Sequence, residues 1–260
     1  MESVKYAIVT GAASGMGKEY VRMLAGMGYG IIAADINADG LKKLEEQTHA
    51  KGFIAITKDL ASPSGAEELI ADISRSGADV EILINNAGIF SYRNITEHPE
   101  GYISKITTLH NITMAVLCRH FAKTMTARGG GYILNISSLS AWMPFPGIAM
   151  YAATKRYTKD FSRALGIELR GTGVSVTVAC FGAVATSLIG LKPKYVELAK
   201  RLHIMITPEK AAEKALRAML KRKGCTMPGA INHIGKPFLA ACPRWLAAVI
   251  DKKLSVFKKR

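Results

Sequence analysis

The stretch Thr10-Gly11-Ala12-Ala13-Ser14-Gly15-Met16-Gly17 decides the fold. It follows an apolar run, Val4 to Val9, that predicts a buried strand, and it precedes a helical segment that extends to about Met27. Glycines between a strand and a helix allow a tight turn whose backbone can approach a phosphate, which the helix N-terminus attracts. The turn therefore predicts the start of a dinucleotide-binding α/β fold.

Strand-like and helix-like segments alternate outward from this turn. The predicted strands are 4–10, 30–36, 53–57, 80–84, 132–137 and 174–180, and the later predicted helices are 38–48, 63–76, 100–128 and 150–170. Ser62 is the predicted N-cap of helix 63–76, with Pro63 in its first position. Strands that are apolar on both faces belong in a parallel sheet covered by helices. We therefore predict a single domain over residues 1–260 with a Rossmann-like, doubly wound parallel sheet.

The segment 183–207 has a helical composition without a strong period, and it follows the sixth predicted strand. Ligands of doubly wound folds bind outside the carboxyl ends of the strands. We predict that this segment is a helical substrate lid, and an ordinary pair of surface helices is the alternative.

The net charge of +15 is concentrated near the C-terminus. Residues 192–260 contain seventeen Lys or Arg and four acids, an excess of 13 positive charges. This asymmetry suggests an anionic partner, and solubility is the competing explanation. Apolar residues recur at helical spacing in the basic tail 243–260. They predict either a helix on an anionic membrane surface or a helix packed on the body or on another subunit.

Cellular location is inferred from three weaker features. The four cysteines show no paired spacing, which predicts reduced thiols. The chain enters a strand at once, so we expect no signal peptide. No apolar run reaches the roughly 18 residues needed to span a bilayer. We expect a cytoplasmic protein, soluble or at most peripheral to a membrane.

Tyr151 and Lys155 enclose the run Tyr-Ala-Ala-Thr-Lys on a predicted helix. Residues four apart lie on one helical face, so the ammonium would lie near the phenol. That charge, together with the positive charge of an oxidised dinucleotide cofactor, should favour the phenolate and bring the pKa of Tyr151 toward the range that acid–base catalysis needs. Ser138 lies thirteen residues earlier, at the end of a predicted strand, and Asn85-Asn86-Ala87-Gly88 follows another strand. Ser137 is the weaker candidate, because its spacing from the tyrosine differs.

These motifs, in this order, resemble those of the short-chain dehydrogenase/reductase family from Val4 to about Thr186. The resemblance implies hydride transfer between a nicotinamide and an alcohol or ketone, with Tyr151 as acid–base group. Lys155 would support Tyr151 and hold the nicotinamide ribose, and Ser138 would orient the substrate oxygen. Asn111 would anchor a water that links Lys155 to solvent.

Asp35 ends the second predicted strand, eighteen residues after Gly17. A carboxylate there can accept hydrogen bonds from ribose hydroxyls and would repel a 2′-phosphate. We therefore predict NAD in preference to NADP. Capping of the next helix is the alternative role. The predicted cofactor contacts are Gly11, Ser14, Gly15, Met16, Gly17, Asp35, Asp59, Leu60, Asn86, Ala87, Gly88, Tyr151, Lys155, Val184 and Thr186.

The predicted substrate pocket is apolar, although each of its residues could instead belong to the core. Its predicted residues are Phe90, Met143, Phe145, Ile148, Phe181 and Leu188. Two departures from the family pattern bear on the substrate. Phe181-Gly182 replaces the usual Pro-Gly, and the last 50 or so residues resemble relatives that act on lipids and steroids.

A hydroxysteroid or bile acid is the favoured substrate, and a 3-oxoacyl thioester is the alternative. A non-catalytic dinucleotide sensor or membrane-surface scaffold is the hypothesis from another class, and the intact set of catalytic residues argues against it. We expect no metal site and no nucleic-acid partner, and we expect a homodimer or homotetramer. His110 should point away from the site, because adjacent helical residues face different directions.

Overall fold

The computed structural model describes residues 4–143, 145–186, 188, 197, 205–228, 243 and 248–249. A parallel sheet with the order β3-β2-β1-β4-β5-β6-β9 forms the centre of this part of the chain. Its strands are β1 (Lys5–Thr10), β2 (Gly30–Asp35), β3 (Phe53–Thr57), β4 (Asp79–Asn85), β5 (Gly131–Ser138), β6 (Val174–Phe181) and β9 (Cys225–Thr226). The doubly wound fold predicted from the sequence is confirmed.

Helices cover both faces of this sheet. They are α1 (Gly15–Gly26), α2 (Ala38–Glu46), α3 (Gly65–Ser76), α4 (Tyr102–Thr107), α5 (Thr113–Ala127), α6 (Ala149–Glu168) and α7 (Pro208–Leu220). Helices α1, α2 and α7 contribute to the apolar core on one face, and α3, α5 and α6 to the core on the other. Along β1, Ala7 and Val9 face the first core whereas Ile8 faces the second, so the strand is apolar throughout because both faces are buried.

Strand β1 lies between β2 and β4. The chain therefore leaves β1 toward one edge of the sheet through β2 and β3, and then returns to build the other edge from β4 onward. Such a reversal opens a crevice at the carboxyl ends of the central strands, where ligands bind in doubly wound folds. The glycine turn after β1 and the asparagines after β4 both reach this crevice.

Two predicted helices are wrong in detail. Helix α3 begins at Gly65 with Ser64 as its N-cap residue, so Ser62 and Pro63 lie in the preceding loop. A Cβ at Gly65 would lie 2.9 Å from the Ser62 hydroxyl, which shows how closely that loop packs. The predicted helix 100–128 is interrupted by a π-helical turn, Thr108–Ile112.

Four elements at the C-terminal side were not predicted. Helix α7 packs against α1 and the sheet, and β9 extends the sheet beyond β6. The predicted lid segment begins and ends as short strands, β7 (Ala183–Val184) and β8 (Met205–Ile206), which pair in parallel. Apart from Leu188 and Glu197, positions 187–204 lie outside the described residues, as does nearly all of the predicted tail 243–260.

Candidate active site

A cavity of about 590 Å³ opens at the carboxyl ends of the central strands. It brings together residues from loops that are far apart in sequence. The predicted site residues that line it are Gly11, Ser14, Gly15, Met16, Asp35, Asp59, Leu60, Asn86, Ala87, Gly88, Phe90, Ser138, Met143, Ile148, Tyr151, Lys155, Phe181, Val184, Thr186 and Leu188. Predicted cofactor contacts and predicted apolar contacts therefore share one continuous space.

The glycine turn at the base of the cavity depends on its lack of side chains. Gly11 and Gly15 have φ angles of +64° and +53°, a conformation that favours glycine. A Cβ on Gly11 would lie 2.8 Å from the Cα atom of Ala87. The first residues of α1 line the cavity, so backbone N–H groups and the positive end of the helix dipole lie beside it. This is the donor arrangement that suits a pyrophosphate.

Asn86 fastens this turn to the end of β4. Its side-chain Nδ2 donates to the carbonyl oxygens of Thr10 and Gly11 at 3.0 and 3.1 Å. The Thr10 hydroxyl accepts in turn from the backbone N–H groups of Asn86 and Ala87 at 3.0 and 3.1 Å. These bonds hold the two cofactor-facing loops at a fixed separation.

Asp35 is placed at the cavity by two backbone donors. Its Oδ2 accepts from the Ala13 N–H at 2.9 Å, and its Oδ1 accepts from the Asn37 N–H at 3.0 Å. The N-cap of α2 is Asn37, whose side chain accepts from the Gly40 N–H. The carboxylate of Asp35 therefore does not serve as that cap, and each of its oxygens retains a lone pair for another donor.

Tyr151 lies near the start of α6, with Phe90 packed edge-on against its ring at 4.9 Å between centroids. The predicted lowering of the Tyr151 pKa depends on the charge of an oxidised cofactor as well as on Lys155, and it stays a prediction. Burial raises the pKa of Tyr151 to about 12, and its hydrogen bond with Ser138 opposes the rise only in part. Ser138 also accepts from the Ser140 N–H at 3.1 Å, which orients its hydroxyl.

Lys155 is buried one helical turn beyond Tyr151 on α6. Its Nζ lies 5.7 Å from the centroid of the Tyr151 ring and donates to the Ile136 carbonyl oxygen at 2.9 Å. Burial lowers the pKa of Lys155 to about 8, because the charged ammonium is removed from water. The neighbouring Ser137 hydroxyl donates to the Lys155 carbonyl at 2.7 Å and so holds the helix against β5.

The short chain dehydrogenase family matches residues 5–194. The chain belongs to this family. It is accordingly an NAD(P)-dependent oxidoreductase that acts on CH–OH groups or the corresponding carbonyls.

Individual relatives within the short chain dehydrogenases are moderately similar. The 1-deoxy-11-beta-hydroxypentalenate dehydrogenase of Streptomyces exfoliatus is 31% identical over a 188-residue alignment that covers 70% of this chain and 68% of the relative. The very-long-chain 3-oxoacyl-CoA reductase of Bos taurus is 32% identical over a 199-residue alignment that covers 72% of this chain and 62% of the reductase. In some other relatives, the region that matches this chain makes up only 31% of their length.

The fold agrees with solved structures of the family. A short-chain dehydrogenase from Sphingobium yanoikuyae in complex with NADPH superposes with a TM-score of 0.76 at 24% identity, covering 99% of this chain and 97% of that protein.

Three predicted site residues do not line the cavity. Gly17 has a packing role, because a Cβ there would collide with the Gly11 carbonyl oxygen. Phe145 is buried, with 9% of its surface exposed, and lies outside the cavity wall. The side-chain oxygen of Asn111 is buried without a hydrogen-bond partner among the described residues.

His110, which we expected to point away from the site, packs against it instead, with 5.8 Å between the centroids of its ring and that of Tyr151. It is 3% exposed, and its Nε2 accepts from the Ile89 N–H at 3.0 Å. His110 lies within the π-helical turn Thr108–Ile112. A signal was present, because His110 lies on the same helical stripe as Met114, Leu117 and Phe121.

Metal-ligand clusters and membrane-spanning helices are absent from the part of the chain that the structure describes. There, no three His, Cys, Asp or Glu side chains cluster as metal ligands. No helix in the same part is both long and apolar enough to cross a membrane.

Proposed function

We propose that this enzyme reduces a ketone, or oxidises the corresponding secondary alcohol, on a hydrophobic small molecule with NAD(H). The cavity carries this proposal, because it joins Tyr151 and Ser138 to both the glycine turn and an apolar wall. That wall contains Phe90, Met143, Ile148, Phe181 and Leu188.

The residues of the cavity fit a nicotinamide dinucleotide. The turn at Gly11 and Gly15 would hold its pyrophosphate, and Asp35 would accept from the adenosine ribose hydroxyls. Asp59 and Leu60 line the side next to β3, where the adenine would lie. When bound, the cofactor supplies or accepts the hydride.

Tyr151 would act as the proton donor in reduction. A phenol with a pKa near 12 is protonated at neutral pH, so it can give its proton to the oxygen that forms on the substrate. Ser138 would hydrogen-bond the same oxygen and orient it. Lys155 would supply a positive charge close to the phenol and bind ribose hydroxyls. In oxidation the phenolate of Tyr151 would accept the proton of the substrate hydroxyl.

NAD rather than NADP is part of the proposal. The carboxylate of Asp35 would repel a 2′-phosphate. Lys58 also lines the cavity, but its ammonium pairs with Glu68 at 2.9 Å and Asp72 at 3.3 Å. Its charge is therefore largely balanced within the protein.

Two substrate classes fit the apolar wall. A hydroxysteroid or bile acid is our first candidate. A 3-oxoacyl thioester is the second, because relatives about 30% identical are named 3-oxoacyl-CoA reductases. An anionic substrate, or contact with an anionic membrane, would depend on the basic segment 192–260. Within its described part, the basic side chains of α7 do not line the cavity.

A paired assay tests the function. The protein is incubated with steroid ketones, bile acids and 3-oxoacyl-CoA thioesters of increasing chain length, and nicotinamide absorbance is followed. Tyr151→Phe is the control, since it retains the ring and loses the hydroxyl. We expect turnover with at least one class and a loss on the order of 10² to 10⁴ in the variant. Equal rates in both proteins would remove Tyr151 from catalysis, and turnover of small polar alcohols alone would contradict the apolar substrate.

A further inference from the structure

His110 connects two parts of the candidate site, the loop 86–89 and helix α6. Its Nε2 accepts from the Ile89 N–H at 3.0 Å, next to the cofactor-facing loop. Its Nδ1 lies 2.9 Å from the hydroxyl of Thr154, which donates to the Tyr151 carbonyl oxygen at 2.9 Å. The chain of bonds therefore runs from loop 86–89 to the backbone of the acid–base residue.

These bonds determine the protonation of the imidazole. A backbone N–H can only donate, so Nε2 must be the unprotonated acceptor. The Thr154 hydroxyl already donates to Tyr151, so Nδ1 must carry the hydrogen and donate to Thr154. Protonating Nε2 would place its N–H against the Ile89 N–H, so that two buried donors would face each other without an acceptor.

The surroundings keep the ring in this state. The ionisable groups that face it, Lys155 and Tyr151, both belong to α6. Burial, together with the charge of Lys155, holds the pKa of His110 well below its usual range. A Cβ at Gly88 would lie 3.0 Å from Nε2, so the imidazole also packs directly against the cofactor-facing loop.

We propose that His110 is a positioning residue, an imidazole of fixed tautomer that sets the distance between loop 86–89 and the Tyr151 backbone. This inference rests on the proposed function, because it concerns the alignment of Tyr151 with a cofactor held by that loop. The ring contacts Tyr151 only edge-on, at 5.8 Å between centroids, so its effect passes through the backbone.

Histidine NMR tests the geometry without any substrate. The protein is labelled with ¹⁵N-histidine, and His110 is identified by the ring signals that move in Thr154→Val. We expect the tautomer protonated at Nδ1, and no titration from pH 8 down to about pH 5. The opposite tautomer, a titration near pH 6.5, or no histidine signal that responds to Thr154→Val would overturn the proposal.

Kinetics test the consequence for catalysis. Thr154→Val keeps the volume and removes the hydroxyl, whereas Thr154→Ser keeps the hydroxyl. We expect the Val variant to lose kcat by on the order of tenfold with little change in the KM for the cofactor, and the Ser variant to recover most of it. Equal kcat values in the Val and Ser variants would show that the hydroxyl link has no positioning role.

A double-mutant cycle with His110→Phe, which keeps an aromatic ring and removes both nitrogens, separates positioning from packing. We expect Thr154→Val to have no further effect on kcat in the His110→Phe background. If the double variant instead lost kcat by the product of the two single losses, the two residues would act independently, and the proposed His110–Thr154 link would be contradicted. If the Phe variant does not fold, the comparison of Thr154→Val with Thr154→Ser and the NMR result still test the proposal. Absence of turnover with every substrate, combined with the expected tautomer, would contradict the proposed function and leave the geometry intact.

Discussion

At the scale of single residues, Asp35 is the side chain that would select the cofactor. Its two oxygens are held by the Ala13 and Asn37 backbone donors, so the carboxylate cannot easily turn away from a 2′-phosphate. Asp35→Ser should raise kcat/KM for NADP relative to NAD by about fivefold or more, because two close like charges repel by about 1 kcal/mol or more. The ratio is measured in parent and variant by nicotinamide absorbance.

Asp59→Ser is the matched control for this change. It removes a carboxylate from the same cavity, but one strand further along the sheet. We expect it to weaken both cofactors together and to leave their ratio unchanged. A parent enzyme that already prefers NADP would contradict the role given to Asp35.

At the scale of elements, the contact between the glycine turn and α1 is the tightest part of the predicted cofactor site. A Cβ at Gly17 would collide with the Gly11 carbonyl oxygen and lie 2.9 Å from Asn86 Nδ2. Gly17→Ala should therefore move the turn, abolish NAD binding measured by calorimetry, and lower the free energy of unfolding by about 1–3 kcal/mol. Gly26→Ala, at the end of the same helix, is the control.

Gly26 has open space around its added Cβ and lacks a positive φ. Its replacement should stabilise the protein by about 0.4–1 kcal/mol and leave NAD binding unchanged. Binding of NAD by Gly17→Ala with parental affinity would show that the third glycine is not needed for this turn.

The element that sequence reasoning misjudged is the helix 100–128. Its apolar period is compatible with one continuous α-helix, and a single π-helical turn barely changes that period. His110 is buried against Ile89 and Tyr151, although we expected it to point away from the site. The buried stripe through Met114 and Leu117 indicated this direction, because His110 lies four residues before Met114. The role of Asn111 stays a prediction.

At the scale of the whole molecule, the sheet and most of the candidate site could be predicted because both depend on local rules. Apolar strands such as β2 are recognised by composition, and the loops at their carboxyl ends meet at one edge. The Tyr151 pKa could not be predicted in this way. The direction of its shift in the protein alone depends on the depth of burial, which is a property of the complete fold, and burial outweighs the hydrogen bond with Ser138.

The burial of Lys155 also has a consequence for the stability of the whole protein. Its pKa of about 8 in the folded state lies below its ordinary value of 10.5, so between these values the unfolded chain binds more protons. Stability must therefore rise with pH across that interval, by on the order of 3 kcal/mol from this residue. Below pH 8 the residue is charged in both states, and its contribution is a constant penalty.

Lys155→Met removes this dependence and keeps a long side chain in place. The unfolding free energies of parent and variant are compared by urea denaturation at intervals from pH 7 to pH 10. All other ionisable groups are common to both proteins, so their contributions cancel in the difference. We expect the free energy of unfolding of the parent to rise relative to that of the variant as pH rises above 8, whatever the difference between them at pH 7. A difference that stays constant over the range would show that the folded protein keeps the ammonium of Lys155 as well solvated as the unfolded chain does.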